Sequence, residues 1–339
     1  MVTQMNERTH SSSSNWLCLT CNRNFARAEG GCSCTSTKIE VTNQFMKVTN
    51  VPGYLLEREI GQGTSATIYK ATSIKSGGTD VVAIKILHAS AADEMAPVMR
   101  FRREAELTKA IRAQNVIAVL DFDVLDDGRP FTVMEFVDGH SARYLLDNFG
   151  AMPIEKALPL FIQIADGLTA VHKAEVLHRD IKPDNIMIKN DYTANDAVKI
   201  IDFGLAKHNF QSQDDPLILT EQGETIGSPA YMSPEQCMGL ALDQRSDLYS
   251  FGCLMYEMLT EHTVFSTNVN LVAMMQKHLA EVPQVARLRR VDGSGKMLEI
   301  VTRCLKKQPQ ARYFDASEIK SELLKLFKTI PSLINLEAS

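Results

Sequence analysis

Between residues 54 and 87 apolar positions come in short runs rich in β-branched residues. Apolar residues lead into Gly61-Gln62-Gly63, then follow Thr67–Ala71 and Val81–Leu87, a pattern that predicts strand, glycine turn and strand. From Met95 to Ile111 the spacing of Met99, Leu107 and Ile111, with charges between them, predicts an amphipathic helix. Strands are expected next, around Val116–Asp121 and Phe131–Phe136. After Asp138-Gly139 the pattern turns helical, most clearly over Leu158–Lys173 and Ser246–Leu259, with short Val/Ile segments near Ile186 and Val198. The expected fold is α+β and bilobal: a small β-rich lobe with one helix, about 54–137, then a larger helical lobe, about 138–327. A cleft beside the single crossing at Glu135–Asp138 is where a small ligand is expected.

The first 45 residues differ: a serine run at Ser11–Ser14, a cysteine cluster and few long apolar residues. They read as a small module plus linker ahead of a domain over 54–327, with 328–339 as a tail. The chain has 339 residues, 45% of them hydrophobic and 23% charged, with a net charge of −5. That balance points to neither a nucleic-acid nor a membrane partner. No signal peptide or spanning segment is read, because the apolar runs near Val81 and Phe251 are short and interrupted by Lys85 and Glu257. Without an export signal the expected compartment is the reducing cytoplasm.

The chemistry lies in four short segments. Glycines at 61 and 63 let a turn come close to phosphate oxygens, although alone the turn reads equally well as a hairpin. In Val82-Ala83-Ile84-Lys85 a lysine interrupts an apolar strand, where its charge needs an anion such as Glu104; a lone strand lysine is more often an edge residue. The segment Val176–Met187 sets Asp180, Lys182 and Asn185 in one tight loop. Asp180 can accept or orient a hydroxyl proton, Lys182 can offset charge on a moving phosphoryl group, and Asn185 offers an oxygen to Mg²⁺. After a further short apolar run, Asp202-Phe203-Gly204 supplies a second oxygen ligand.

Together these residues resemble the eukaryotic-type protein kinase family, over roughly Tyr54 to Phe327. The resemblance places the glycine-rich loop on Gly61, Gln62, Gly63, Thr64, Ser65 and Ala66. It places the strand lysine on Lys85, the helix glutamate on Glu104, the catalytic aspartate on Asp180 and the metal ligands on Asn185 and Asp202. Ile68, Ala83, Met134, Glu135, Val137 and Met187 complete the nucleotide site it implies, with Met134 limiting access behind the adenine. It further implies a buried ion pair between Glu235 of Ser233-Pro234-Glu235 and Arg312, and a framework role for Asp247. The implied cofactors are ATP and Mg²⁺, with Mn²⁺ as the alternative metal. The Asp180–Asn185 loop is similar to the serine/threonine form, and Gly227–Gln236 to bacterial members, so the implied partners are proteins offering Ser or Thr hydroxyls. Arg179 resembles the arginine that receives a phosphorylated activation loop, with Thr220 and Thr225 as candidate acceptors.

Two positions depart from the family pattern: Ala66 stands for a glycine, and Thr108 for an apolar packing residue. Both are expected to slow turnover or to make the active arrangement of the helix less stable without a partner, so that glycine and leucine there raise activity. The alternative function is a catalytically silent kinase-fold scaffold, whose hallmark would be loss of Lys85, Asp180, Asn185 or Asp202. A small-molecule kinase is disfavoured by the complete activation segment through Glu235.

Cys18, Cys21, Cys32 and Cys34 offer four thiolates within one short stretch, which suits structural Zn²⁺. A redox dithiol pair and a disordered tail are the competing readings. With Trp16, Arg23, Phe25 and Arg27 such a module would present a contact surface to a partner.

Overall fold

In this computed structural model residues 15–18, 24–26 and 38–41 are described by their backbone, and residues 51–74, 78–191, 196–203, 229–292 and 295–330 with their side chains, Arg290 excepted. Three short strands come first, β1 Asn15–Cys18, β2 Asn24–Ala26 and β3 Lys38–Val41, in an antiparallel sheet ordered β2-β1-β3. Trp16 stands opposite both Phe25 and Glu40, and Cys18 opposite Lys38.

The chain divides into two compact units: residues up to Ala92 with Asp123–Phe136, and Asp93–Phe122 with the chain from Val137 onward. The smaller is built on strands β4 Tyr54–Gln62, β5 Ala66–Ser73, β6 Val81–Leu87, β7 Val119–Val124 and β8 Pro130–Glu135. Their order is β4-β5-β6-β8-β7. Because side chains alternate across a strand, Val82, Ile84 and Ile86 of β6 reach one core with Leu56, Ala71, Phe131 and Val133. Lys85 falls between them, half-buried, opposite Ile68 on one side and Thr132 on the other. A short helix α1, Ala89–Ala92, follows β6.

The larger unit begins with α2, Met95–Ala110, which the sequence pattern grouped with the β-rich lobe. At the end of α2 Ile111 joins Val116, Val171, Val176 and Phe203 in one apolar cluster. The strand expected at 116–121 lies at 119–124, and Val116 instead bridges to Ile200 in parallel. Next come β9 Gly139–Ser141, α3 Ala142–Phe149 and α4 Ile154–Lys173, whose first turn precedes the expected start at Leu158. Then follow β10 Ile186–Lys189 and β11 Val198–Ile200, in a sheet ordered β11-β10-β9. Helices α5 Pro234–Cys237, α6 Gln244–Thr260, α7 Leu271–Ala280, α8 Lys296–Cys304 and α9 Ala316–Phe327 complete the unit.

One core joins Phe161, Ile164 and Leu168 of α4 to Leu248 and Phe251 of α6, Ile300 of α8 and Leu323 of α9. Each such burial contributes about 2 kcal/mol. Two glycines allow the close approaches that this packing needs. A Cβ on Gly167 would stand 2.7 Å from Ile200 Cδ1, and one on Gly139 2.1 Å from Ile188 O, so any side chain there would push α4 from β11 or β9 from β10. Among the described residues no helix is long and apolar enough to cross a membrane.

Candidate active site

The loop after α4 carries the densest polar chemistry, and the β10–β11 hairpin sets its geometry. Ile186 pairs with Ile200, and Ile201 N donates to Asn185 O at 2.9 Å, which brings Asn185 and Asp202 to the same end of the hairpin. A 3₁₀ turn over Pro183–Asn185 follows Lys182. Asn185 Nδ2 donates to Asp180 O at 2.8 Å and to Asp180 Oδ2 at 3.0 Å, and Lys182 Nζ lies 3.0 Å from the same Oδ2. The three residues therefore form one hydrogen-bonded constellation. Turning its amide nitrogen to Asp180 gives Asn185 a carbonyl oxygen to offer a cation; with the Asp202 carboxylate that is an oxygen donor set suited to Mg²⁺.

The loop is held from below by His178, whose role sequence reasoning missed, and by Asp247, for which the resemblance implied a framework role. His178 is fully buried, its Nε2 3.0 Å from Ile201 O and its Nδ1 3.3 Å from Asp180 N. A carbonyl only accepts, so Nε2 carries the proton, and Nδ1 receives the Asp180 N–H. Burial pushes the His178 pKa down, so the ring is neutral and its tautomer fixed. Asp247, 1% exposed, accepts from His178 N at 2.9 Å, Arg179 N at 2.8 Å and His172 Nε2 at 2.8 Å. Burial by itself would raise its pKa; the His172 hydrogen bond and the charges around it hold the carboxyl below its usual range.

Those bonds hold a strained backbone. Arg179 has φ 66° and Asp202 φ 51°, both in the left-handed region that costs a non-glycine residue about 1 kcal/mol or more. At Arg179 the N–H is held by Asp247 and the carbonyl accepts from Gln236 Nε2 at 2.9 Å. Gln236 is itself fixed in a capping box with Ser233 at the start of α5. Beside it, Glu235 receives both Arg312 Nη1 and Nη2, at 2.7 and 2.9 Å, and the Ser246 hydroxyl at 2.6 Å.

A second network that carried no sequence signal surrounds Arg143 of α3. Its Nη2 donates to Tyr231 Oη at 2.7 Å and to Glu257 Oε1 at 2.9 Å, while Nε lies 3.8 Å from Asp184 Oδ2. The Tyr231 hydroxyl donates in turn to Glu257 Oε2. The side chain of Glu257 is 5% exposed, so Arg143 is the cation that makes its burial tolerable. We expect Arg143→Ala to cost about 3 kcal/mol, and chemical denaturation should show it as a lower midpoint at unchanged slope.

In the smaller unit Gly63 N donates to Ala66 O at 2.9 Å, closing a turn over Gly63–Ser65 that is exposed with Gln62 and Thr64. Pairing of β4 with β5 slips between Glu59 and Gly61. Ala66 is buried and paired with Leu87. Ala83 pairs with Met134 and Val82 with Glu135, so three of the expected nucleotide-site residues meet across β6 and β8. Val137 and Met187 belong to the larger unit, as does Glu104, whereas Lys85 belongs to the smaller. Thr108 is buried, and its hydroxyl donates to Glu104 O at 2.8 Å, so its polarity is met within α2. Thr220, Thr225 and Gly204 lie outside the described residues, as do Cys21, Cys32 and Cys34. Among the described residues no His, Cys, Asp and Glu cluster is arranged to hold a metal.

His278 of α7 gives the unit a further pH dependence. It is fully buried, its Nδ1 2.9 Å from Tyr249 Oη, and burial, with Lys307 adding to it, pushes its pKa down to about 3. Below about pH 6.5 the unfolded chain takes up protons at His278 and His178 that the folded chain refuses. For His278 stability is therefore expected to fall as pH falls from about 6.5 toward 3, at up to about 1.4 kcal/mol per pH unit, and His178 acts in the same direction. Urea unfolding at pH 7.5 and 5.5 reads this directly, and His278→Asn should make the difference smaller.

A profile of the protein kinase domain matches residues 54–323. The chain is 34% identical over 284 residues to the serine/threonine-protein kinase pkn3 of Myxococcus xanthus, covering 83% of this chain and 51% of that protein. It is 33% identical over 281 residues to the serine/threonine-protein kinase PknB of Mycobacterium leprae, covering 82% and 43%. The chain thus spans about half the length, or less, of these curated relatives. Among solved structures, the kinase domain of Mycobacterium tuberculosis PknI aligns with a TM-score of 0.61 at 20% identity, covering 83% of this chain and 100% of that one.

Proposed function

The chain belongs to the protein kinase domain family, and from that premise we propose that it transfers the γ-phosphoryl group of ATP to serine or threonine hydroxyls of proteins. The observation that carries this reading is the Asp180–Lys182–Asn185 constellation, complete in residue type and joined by hydrogen bonds. ATP with Mg²⁺ supplies the phosphoryl group and part of the charge neutralisation. Asn185 and Asp202 would hold the metal, Lys85, positioned by pairing with Glu104, would hold the phosphates, and the turn over Gly61–Ala66 would meet their oxygens. Ile68, Ala83, Met134, Glu135, Val137 and Met187 would surround the base. Asp180 orients the acceptor hydroxyl and takes its proton, and Lys182, 3.0 Å from that carboxylate, offsets the charge of the moving group. Most of the acceleration then comes from positioning and electrostatics. EDTA should abolish transfer and Mn²⁺ should restore part of it; transfer that persists in EDTA would sink the metal assignment.

Regulation by phosphorylation of Thr220 or Thr225 belongs to the same reading, with Arg179 as the receiving cation beside Asp180. Mass spectrometry of active enzyme finding both threonines unmodified, with full activity in the double alanine variant, would end it. A reducing, cytoplasmic setting is consistent with Cys237, Cys253 and Cys304, which are buried free thiols.

For the N-terminal module we propose a structural Zn²⁺ held by Cys18, Cys21, Cys32 and Cys34, and a recognition role toward an unidentified partner. Strands of three or four residues bury too little to stand unaided, so a metal would supply most of the folding free energy. Cys18 ends β1 opposite Lys38, the first residue of β3. Metal analysis is expected to find one zinc per chain. A chelator that leaves amide protection of residues 15–41 unchanged would defeat the proposal.

A further inference from the structure

His88 sits immediately after β6, three residues beyond Lys85. Its backbone N–H donates to Ser65 O at 2.7 Å, and its carbonyl accepts from Ala91 N and Ala92 N at 3.1 and 3.0 Å. Its ring reaches back across the sheet, with Nε2 2.9 Å from the Thr67 hydroxyl oxygen. Thr67 is 8% exposed and pairs with Ile86, so that hydroxyl is largely shielded from water and the imidazole is the partner that meets it. The turn over Gly63–Ser65 that leads to these contacts is exposed, and within itself it is closed by the Gly63 N–H to Ala66 O bond.

Any residue but proline at position 88 could make the main-chain bond to Ser65. The bond to Thr67 needs a side chain that is long and polar, and histidine supplies one whichever partner donates. One residue therefore pins both the tip of the turn, at Ser65, and the strand that leaves it, at Thr67, and does so from the strand that carries Lys85. A turn with two glycines loses much freedom when it is ordered on a ligand; a turn already held loses less.

We infer that His88 is a positioning residue for the phosphate-binding turn, acting through Thr67 to hold the turn in its nucleotide-binding conformation. This rests on the nucleotide reading of Gly61–Ala66 given above. The imidazole touches the strand that flanks the turn, and its effect is felt in nucleotide affinity.

The test is a double-mutant cycle on the full chain, reading the Kd of a non-hydrolysable ATP analogue with Mg²⁺ by titration calorimetry. Thr67→Val and His88→Ala are each expected to weaken binding about fivefold, the worth of one buried hydrogen bond. The double variant should be no weaker than either single one, because both remove the same contact. His88→Gln, which can still reach the Thr67 hydroxyl, should bind within about twofold of the unaltered chain. The KM for ATP should follow Kd, while kcat at saturating ATP and the KM for the protein acceptor stay near their original values. Unchanged Kd in the single variants, multiplicative losses in the double one, or a lowered melting temperature with no change in Kd would each overturn the inference alone. No binding by the unaltered chain would overturn the nucleotide reading, and the inference with it.

Discussion

Asp180→Asn is expected to lower the rate of phosphate transfer about a thousandfold or more while leaving the fold and nucleotide affinity nearly intact. The substitution keeps the side chain's volume, and its remaining carbonyl oxygen can still accept from Asn185 Nδ2 and Lys182 Nζ, which now meet at Oδ2. What disappears is the negative charge and the proton acceptor facing the acceptor hydroxyl. The loss should therefore fall on kcat, with KM for ATP within about twofold of the original, the signature of an interaction made chiefly in the transition state. Single-turnover kinetics would show it as a slowed chemical step. A variant that retained more than about a tenth of the activity would remove Asp180 from the role given to it here.

Arg312→Ala is expected to destabilise the larger unit by about 3–5 kcal/mol, the usual cost of removing one partner from a buried ion pair. The geometry argues for the upper part of that range. All five guanidinium N–H groups are in use: two on Glu235, and one each on Arg245 O, Lys306 O and Lys307 O, at 2.9, 2.7 and 2.9 Å. Alanine would strand a buried carboxylate and three carbonyls together. Burial by itself would raise the Glu235 pKa, and Arg312 is what keeps it low, so the stranded carboxyl would take up a proton more readily. The melting temperature should drop by about 10 °C for a unit of this size. Arg312→Lys should recover less than half of the loss, because an ammonium has three donors and no planar fork. Replacing both partners by apolar residues should not recover it either, since the three carbonyls would still be unmet. A loss below about 1 kcal/mol for the alanine variant would contradict this account of the pair.

The chemistry that could be read in the chain is the part that is local in sequence. Asp180, Lys182 and Asn185 fall within six residues, and so do Gly61 to Ala66. Side chains in one loop can be assigned to one site before any fold is known. The β-rich and helical lobes were legible for a similar reason, because β-branched runs and 3.6-residue spacing are short-range signals. What escaped depends on contacts between distant residues. Arg143, Asp184, Tyr231 and Glu257 meet only because α3, the turn over Pro183–Asn185, the turn over Pro229–Tyr231 and α6 pack together, and none of them stands out in its own segment. The same holds for His88 and Thr67, joined across two strands. Ile111, at the end of α2, meets Val116, Val171 and Phe203 in the same long-range way. Helix α6 is buried from Ser246 to Leu259 without a polar face, so its periodicity is faint and its ends, one or two residues beyond the expected ones, are set by the Asp243 cap and by Glu261 at φ 62°.

The departures at Ala66 and Thr108 look different once placed. The Ala66 methyl is buried where β5 pairs with β6, and the Thr108 hydroxyl is met inside its own helix. Glycine at 66 would add backbone freedom beside a turn that the structure holds closed, and leucine at 108 would need room in a filled site. The gain in activity expected from the sequence pattern is therefore expected to be small at both positions.

The most direct test of the central claim is phosphate transfer from γ-labelled MgATP to a generic protein acceptor, with the labelled residue identified after acid hydrolysis and Asp180→Asn run in parallel. The account predicts label on serine or threonine that depends on Mg²⁺ and is lost in the variant. Bound MgATP with no transfer by the unaltered chain, or label that survives in the variant, would contradict it, the first outcome favouring a nucleotide-binding scaffold and the second a different catalytic centre.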